Sequence, residues 1–479
     1  MFVGTGSDVG KSVINAAFCR IFKQDGYTPA PFKAQNMSLN SYPTPDGFEI
    51  GRAQAVQAEA CGLDCMVEMN PVLLKPTSYM ESQVVLHGEP LGNKSAKEYF
   101  NGTDREFLFT ECMKAYDKLA DNYNPLVIEG AGSISEMNLW KKDITNMRVA
   151  VEKQASVFLI ADIDRGGVFG SVYGTLELLP LEERKLVKGI IINKFRGDVS
   201  LFEDGKKMLE DICKIPVVAV IPHFRDIYID DEDSVVIDNK VKELSQNKTN
   251  VAVVLLPHMS NFTDFNLLER TPEINLYYAR SSSDLEPADI IIIPGSKNTI
   301  DDMIYLSKTG LAVAIKTANE KGKAIYGICG GFQMMGEEIH DPHHVEGEIE
   351  FIPGLGLLPV TTKLSEAKTT EQRTFSFLGS EKECRGYEIH MGETVAEKES
   401  PLCQFEGKTD GYFLNERCWG TYMHGILDNT HVIQQILKAV GKDKVTEIDI
   451  KAFKEEQYNK LADLVRANTD MEYVYEMLD

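Results

Sequence analysis

The chain has 479 residues, of which 43% are hydrophobic and 26% charged, as in an ordinary soluble protein large enough for two or three domains. Its net charge of −23 argues against a nucleic-acid partner, because a phosphate backbone needs a basic surface. No apolar run is long enough to span a membrane, and the nine cysteines lack the spacing of a metal site. A glycine-rich loop starts at residue 4 and leaves no room for a secretory leader, so we expect a cytoplasmic protein.

This glycine-rich loop predicts phosphate binding. The run from Gly4 to Ser12 reads Gly-Thr-Gly-Ser-Asp-Val-Gly-Lys-Ser, in which Gly6 and Gly10 let the backbone fold around oxyanions. The Lys11 ammonium would neutralise phosphate charge, and the Ser12 hydroxyl would bind Mg²⁺. The helical pattern that follows would point its first N–H groups at the phosphates. Since the glycine spacing is one residue longer than usual, the sequence predicts a variant P-loop that binds ATP.

The first half of the chain alternates short apolar runs with helix-length segments, which predicts a parallel sheet with crossover helices. The predicted strands cover residues 28–34, 126–128, 157–161, 189–192 and 217–221. Open α/β sheets bind ligands beyond the carboxyl ends of their strands. Glu129 follows one strand and could reach Mg²⁺, although a plain turn would also explain it. Asn193 follows another strand and is typical of a loop that reads a nucleotide base, although asparagine is also a common turn residue.

A second α/β pattern follows a polar stretch. Parallel strands are predicted at 251–256, 289–293 and 323–327, helices at 301–321 and 332–339, and β-rich structure over 355–425. Gly327–Gly331 reads Gly-Ile-Cys-Gly-Gly at a strand-to-helix junction, which indicates a nucleophile elbow with Cys329 in place of serine. The N–H groups of Gly330 and Gly295 would form an oxyanion hole. A buried, inert cysteine is the alternative, and the flanking glycines argue against it.

A thiolate nucleophile needs a base. His424, between a short predicted strand and a glycine, is the best candidate, and His390 is its rival. His340, His343 and His344 form a polar loop cluster typical of a protein surface.

With both halves interpreted, the chain resembles the cobyric acid synthases, which are glutamine-hydrolysing amidases of cobalamin biosynthesis. The most specific segments are residues 31–41 (PFKAQNMSLNS), 45–47, 49–54 and 70–76. The resemblance covers nearly the whole chain. It implies an α/β architecture with an N-terminal P-loop domain similar to dethiobiotin synthetase and a C-terminal class I glutamine amidotransferase domain. We place the first domain at 1–235, a linker at 236–249, the second domain at 250–440 and a C-terminal helical appendage at 441–479.

The resemblance also implies the reaction. The b, d, e and g carboxylates of adenosylcobyrinic acid a,c-diamide would become amides through acyl phosphates, giving adenosylcobyric acid. ATP and Mg²⁺ would activate each carboxylate, and the Cys/His glutaminase would release ammonia from glutamine. Lys33 would join Gly6, Gly10, Lys11, Ser12 and Asn193 in binding ATP. Mg²⁺ would lie at Ser12 and Glu129, with Asp46 a weaker candidate. The partners are thus the corrinoid and glutamine, with no nucleic acid and no membrane, and the sequence leaves a homo-oligomer open.

Class I glutaminases usually carry a carboxylate two residues after the catalytic histidine, but here that position is Ile426. Asp428 and Glu388 are candidates to orient His424, and the sequence does not choose between them. Low intrinsic glutaminase activity is therefore expected. Two other functions stay open: a cobyrinic acid a,c-diamide synthase, and a P-loop switch ATPase with an inert glutaminase-like domain. The elbow and His424 argue against the second of these.

Overall fold

The computed structural model describes residues 1–76, 81–95, 98–99, 104–230, 244–442 and 444–478. The predicted linker at 236–249 lies partly outside these residues. Two α/β domains are each built around a parallel sheet. None of the helices within the described ranges is both long and apolar enough to cross a membrane.

The first domain contains a parallel sheet of four strands, in the spatial order Phe2–Gly4, Val157–Asp162, Val187–Phe195 and Val217–Pro222. A parallel pair, Ala30–Phe32 and Leu126–Ile128, continues this sheet through a bridge between Phe2 and Glu129. These strands are almost entirely buried, because helices cover both faces of the sheet. The α-helices of the domain are Lys11–Gln24, Arg52–Cys61, Asp104–Ala120, Met147–Lys153, Val168–Leu178, Leu181–Arg184 and Glu203–Cys213. Short 3₁₀ turns cover Val67–Met69, Trp140–Lys142 and Val199–Phe202.

Two smaller β structures extend the first domain toward the second. One is a sheet in the order Gln35–Met37, Val72–Pro76, Glu81–Leu86 and Glu89–Ser95. The other is a hairpin of Ser41–Pro43 and Glu49–Gly51. The strand predicted at 28–34 is shorter, Ala30–Phe32, because the chain leaves the main sheet after Phe32 and joins the smaller sheet at Gln35.

The second domain has a six-stranded sheet in the order Ile274–Ala279, Thr249–Val254, Ile290–Ile293, Ala324–Ile328, Cys418–Thr421 and Tyr412–Asn415, of which only the last strand is antiparallel. A second sheet pairs the long strands Val360–Phe377 and Glu383–Ala396, with Glu338–His340, Phe351–Pro353, Cys403–Phe405 and Lys408–Asp410 at its sides. The helices are Asn266–Arg270, Ser282–Leu285, Thr299–Thr309, Leu311–Glu320, Gly330–Met335 and Thr430–Ala439, with 3₁₀ turns at Phe262–Phe265 and Ile426–Asp428.

Two helix predictions in this domain were wrong in extent. The predicted helix at 301–321 is two helices, because Gly310 adopts a φ of 79° that ends the first of them. The helix predicted at 332–339 ends at Met335, and Glu338–His340 forms a strand instead.

The C-terminal helices Ile450–Ala467 and Met471–Glu476 return to the first domain. Leu461 and Val465 of the longer helix are fully buried in one apolar cluster with Phe18 and Ile21 of the helix after the P-loop. The Asp470 N–H donates to the Val218 carbonyl at 2.8 Å, on the edge strand of the main sheet. The expected appendage therefore completes the core of the first domain.

The two domains meet across the hairpin, which packs against the long strands of the second domain. The Ser41 N–H donates to Asn261 Oδ1 at 3.0 Å, and the Phe262 N–H donates to Asn40 Oδ1 at 3.2 Å. Glu49, from the hairpin, is fully buried between Lys75 of its own domain and Lys368 of the other. A buried carboxylate is stable only when its charge is compensated. The ion pairs of Glu49 with Lys75 and Lys368 therefore stabilise the contact between the domains.

Candidate active site

Cys329 lies at the sharp turn between the strand Ala324–Ile328 and the helix Gly330–Met335. Its backbone has φ 50° and ψ −111°, a strained conformation for a residue with a Cβ and one expected of a nucleophile elbow. The turn has no space for larger neighbours, since a Cβ on Gly331 would lie 2.0 Å from the Ile293 carbonyl oxygen. The thiol is 6% exposed and lines a cavity, so the turn presents it toward a substrate.

His424 is the histidine that the fold pairs with Cys329. It lies just after the strand Cys418–Thr421, the neighbour in the sheet of the strand that ends in Cys329. Its Nδ1 lies 2.7 Å from Asp264 Oδ2, and the other carboxylate oxygen accepts the Gly425 N–H at 2.9 Å. Burial alone would lower the pKa of His424, but the Asp264 carboxylate and then Cys329 outweigh it and raise the pKa to about 10. The arrangement forms a Cys-His-Asp triad.

The carboxylate that orients His424 is Asp264, and neither of the two candidates named from the sequence, Asp428 and Glu388, has this position. Asp428 lies in a cavity between the domains and makes no hydrogen bond to His424, while Glu388 pairs with Arg373. Asp264 belongs to a 3₁₀ turn 160 residues before the histidine, so no local spacing could have indicated it.

His390 lies in the same cavity as Cys329, but its ring is held differently. Nδ1 lies 3.1 Å from the Gly392 carbonyl oxygen, and the ring stacks on Tyr422 at a centroid distance of 3.8 Å. Its Nε2 lies 3.6 Å from Glu388, which is too long for a hydrogen bond. The geometry favours His424 as the base.

Gly330 directly follows Cys329 at the elbow, and Gly295 lies on the adjoining loop. A Cβ on Gly330 would lie 2.8 Å from the Ser296 nitrogen, and one on Gly295 would lie 2.9 Å from His424 Cε1. A side chain at either position would therefore clash with its neighbours, so both positions need glycine. Within the described residues neither the Gly295 nor the Gly330 N–H has a backbone acceptor.

The P-loop lies at the carboxyl end of the first strand of the main sheet. Its Lys11 ammonium donates to the carbonyls of Gly6, Ser7 and Gly132 at 2.8–2.9 Å. Gly10 has a φ of 94° and lies against Asn193, whose amide donates to the Val9 carbonyl at 2.8 Å. Asn193 therefore holds the P-loop backbone in place at Val9 and Gly10.

Glu129 is the centre of the polar groups beside this loop. Its carboxylate is fully buried and accepts hydrogen bonds from the Ser12 hydroxyl and the Lys33 ammonium at 2.8 Å and from Gln57 at 2.6 Å. A serine hydroxyl next to a carboxylate is a donor set of hard oxygens, which suits Mg²⁺. Sequence inspection missed Gln57, which lies one helical turn beyond the end of the segment 49–54.

Asp46 lies elsewhere. It is exposed at the turn of the interdomain hairpin, where the neighbouring Gly47 contacts the Thr370 backbone of the second domain. It is not among the residues that line the cavity beside the P-loop. The structure therefore separates Asp46 from Ser12 and Glu129.

Each domain has a cavity at its site. The one at Cys329 has a volume of about 420 Å³ and is lined by both domains, since Lys75, Glu81 and Gln83 come from the first. The one at the P-loop has a volume of about 560 Å³ and contains Lys11, Ser12 and Glu129.

The comparisons with known proteins agree with this geometry. Residues 1–234 match the CobQ/CobB/MinD/ParA nucleotide binding domain, and residues 250–432 match the CobB/CobQ-like glutamine amidotransferase domain. A cobyric acid synthase of Parabacteroides distasonis is 59% identical over 99% of this chain and 97% of its own length. One of Bacteroides fragilis is 57% identical over 100% of this chain and 98% of its own. The chain belongs to the cobyric acid synthase family. A solved structure described as a glutamine amidotransferase covers 40% of this chain and 98% of its own, with 16% identity and a TM-score of 0.32.

Membership of this family confirms three predictions: the family itself, the two-domain α/β fold and a glutamine-dependent amidotransferase. The nucleotide-binding domain implies that ATP binds in the first half of the chain.

Proposed function

We propose that the protein amidates the b, d, e and g carboxylates of adenosylcobyrinic acid a,c-diamide in the cytoplasm, with glutamine as nitrogen donor. The observation that carries this proposal is that one chain holds a Cys-His-Asp triad and a P-loop in two domains that share a buried interface. A carboxylate does not react with ammonia unless it is first activated, so the two sites serve one reaction.

The synthetase half binds and orients the activating groups. Bound ATP with Mg²⁺ would supply the phosphoryl group that turns a corrinoid carboxylate into an acyl phosphate. Lys11 would place a positive charge at the phosphates, while Ser12 and Glu129 would hold the metal. Lys33 and Gln57 fix the Glu129 carboxylate in place.

The cavity beside the P-loop suits a large substrate with an apolar ring and acidic arms. Met37, Ile134, Leu139 and Trp140 supply apolar wall, and Arg105 supplies positive charge. A corrinoid has a macrocycle that such side chains can cover and carboxylates that an arginine can bind.

The glutaminase half uses the triad. The Cys329 thiol gives its proton to His424 Nε2, and the sulfur attacks the glutamine side-chain carbonyl. The N–H groups of Gly295 and Gly330 stabilise the resulting oxyanion. The imidazolium then protonates the leaving nitrogen, so that ammonia departs and a thioester remains. Water activated by His424 hydrolyses the thioester to glutamate and the free thiol.

The domain interface brings the two half-reactions together. Gln35–Met37 borders the P-loop cavity, and the neighbouring sheet strands Val72–Pro76 and Glu81–Leu86 contribute Lys75 and Gln83 to the cavity at Cys329. Strands of one small sheet thus border both cavities, which supports the transfer of ammonia from one site to the other.

The test is to incubate the purified chain with ATP, Mg²⁺ and the a,c-diamide and to count amides by mass spectrometry, with glutamine or ammonium as nitrogen source. Product with either source supports the proposal. Amidation of cobyrinic acid at a and c instead would indicate the diamide synthase. A rate of ATP hydrolysis that does not change when glutamine or corrinoid is added would indicate a switch ATPase.

A further inference from the structure

The cavity at Cys329 contains lysines in two different situations. Lys75 and Lys368 each pair with the buried Glu49, so both ammonium groups have an ion-pair partner, although the single carboxylate balances only one of the two positive charges. Lys297 also lines the cavity, yet within the described residues its ammonium has neither a hydrogen bond nor an ion-pair partner. A positive group that shares a cavity with a reactive thiol and has no ion-pair partner of its own is placed to bind an anion.

The position of Lys297 in the sequence also places it near the elbow. Lys297 directly follows Gly295 and Ser296, the loop that contacts Gly330 at the elbow. Its backbone N–H donates to the His258 carbonyl at 2.9 Å, which fixes the loop. Lys297 and the elbow therefore belong to adjoining loops of one cavity.

An acidic side chain lines the same cavity. The Glu346 carboxylate accepts the Ile300 N–H at 3.0 Å, at the start of the helix that follows the Lys297 loop. Asp341, fully buried, accepts the N–H groups of Val345 and Glu346 and holds that loop rigid. Lys297 and Glu346 influence each other electrostatically but are too far apart for an ion pair.

The environment leaves both charges incompletely compensated. Burial, together with the ammonium groups of Lys75 and Lys368, lowers the pKa of Lys297 to about 7. Burial raises the pKa of Glu346 to about 7 against the effect of its Ile300 hydrogen bond. A bound molecule with a carboxylate near Lys297 and an ammonium near Glu346 would restore full charge to both.

We propose that Lys297 binds the α-carboxylate of glutamine and Glu346 binds its α-ammonium, so that this pair selects a free α-amino acid over other amides. The inference rests on the proposed glutaminase function of Cys329. It adds the residues that determine specificity at that site. The side-chain amide of glutamine enters the oxyanion hole, and its charged α-carboxylate and α-ammonium groups bind to two fixed opposite charges.

The test uses two glutamine analogues, each without one charge: 4-aminobutanamide, which has no α-carboxylate, and glutaramic acid, which has no α-amino group. The acid product of each amide (glutamate, 4-aminobutyrate or glutarate) is measured in the complete reaction with ATP and corrinoid. In Lys297→Met we expect KM for glutamine to rise by about tenfold to a hundredfold, the range for loss of a charge-assisted hydrogen bond. The preference for glutamine over 4-aminobutanamide should vanish, while the preference over glutaramic acid persists.

Glu346→Gln, which keeps an acceptor for the Ile300 N–H, should show the reciprocal pattern. The matched controls are Glu348→Gln, in the same cavity, and Lys316→Met, at an exposed position of the helix Leu311–Glu320, and both should retain the two preferences. Should a variant hydrolyse too little to measure, glutamine binding in a Cys329→Ala background gives the same comparison.

Equal loss of both preferences in either variant would mean general loosening of the cavity and would overturn the proposal, as would unchanged preferences in both. Corrinoid amidation with ammonium is measured in parallel. If no nitrogen source gives product even in the unmodified protein, the proposed amidation fails, whereas the two glutamine preferences are still decided by hydrolysis alone.

Discussion

Replacement of Asp264 by asparagine tests the triad most directly. The carboxylate bonds His424 Nδ1 through one oxygen at 2.7 Å and the Gly425 N–H through the other at 2.9 Å. Asparagine keeps the shape and one acceptor. If its oxygen continues to accept from Gly425, its NH₂ group faces Nδ1, which must then become an acceptor. The single ring proton then lies on Nε2, so His424 can no longer take the Cys329 proton and become the imidazolium.

The size of the effect follows from burial. Both side chains are almost completely buried, at 1% and 2% exposure, so water cannot replace the lost interaction. A hydrogen bond to a charged group is worth about 1.5–3 kcal/mol, which corresponds to a loss in kcat of about tenfold to 150-fold. The wrong tautomer adds to this, and the corresponding change in a serine triad costs about 10⁴. We therefore expect glutamine-dependent kcat to fall by about 10² to 10⁴.

The pH dependence of glutamine hydrolysis gives a second, independent test of the role of Asp264. The Asp264 carboxylate raises the pKa of His424, which reaches about 10, so the imidazolium persists through neutral pH and is lost only as pH rises toward that value. Without the carboxylate the pKa falls. The alkaline decline of glutamine-dependent kcat/KM should therefore begin at a lower pH in Asp264→Asn.

The assay is corrinoid amidation with glutamine and, separately, with ammonium at fixed pH. Ammonium-dependent amidation should stay near the unmodified level, because Asp264 acts only on the glutaminase step. Asp428→Asn and Glu388→Gln, which change the two other acids of this region, serve as controls. Glutamine-dependent activity above half of the unmodified level in Asp264→Asn, or an equal loss in either control, would refute the triad.

The remaining predictions separate the two halves. Cys329→Ala and His424→Ala should lose glutamine-dependent amidation and recover it with high ammonium at mildly alkaline pH, and a folded Cys329→Ala protein inactive with both sources would contradict this. His390→Ala should keep most glutamine-dependent activity, so a loss as deep as that of His424→Ala would make His390 the base. Lys11→Ala should lose amidation with both nitrogen sources, since contacts to transferring phosphoryl groups are worth several kcal/mol, and near-normal ligation would make the loop structural only. Glu129→Gln should raise the Mg²⁺ concentration needed for half-maximal ammonium-dependent amidation, and an unchanged Mg²⁺ dependence would remove Glu129 from the metal site.

Local patterns were enough to identify the elbow and the P-loop. In each, the glycines and the reactive residue are neighbours in sequence because one turn of backbone forms the site. The segment from Lys33 to Glu49 was also singled out by sequence, and the structure shows why it is unusual. It begins at the Glu129 carboxylate and ends at the ion pairs between the domains, so most of its polar side chains have specific partners.

Contacts between distant segments could not be predicted. Asp264 reaches His424 only because the turn after the strand Thr249–Val254 packs against the turn after Cys418–Thr421. Lys297 and Glu346 face one cavity across two loops, and neither has a spacing that marks it. The exact helix ends depended on Gly310 and on strand pairing of Glu338–His340, which are properties of the packed domain.

The return of the C-terminal helix makes the glutaminase domain an insertion within the other domain's fold. The described part of the second domain begins after residue 243, and the chain re-enters the first domain at the helix Ile450–Ala467, whose Tyr458 donates to Glu59 at 2.8 Å. Two covalent crossings, rather than one, therefore restrain the inserted domain. A body tethered at both ends cannot pivot freely about a single hinge. Division of the chain at residue 240 would yield a fragment whose P-loop helix exposes Phe18 and Ile21 to water. Such a fragment could be stabilised by residues 450–478 supplied as a separate peptide.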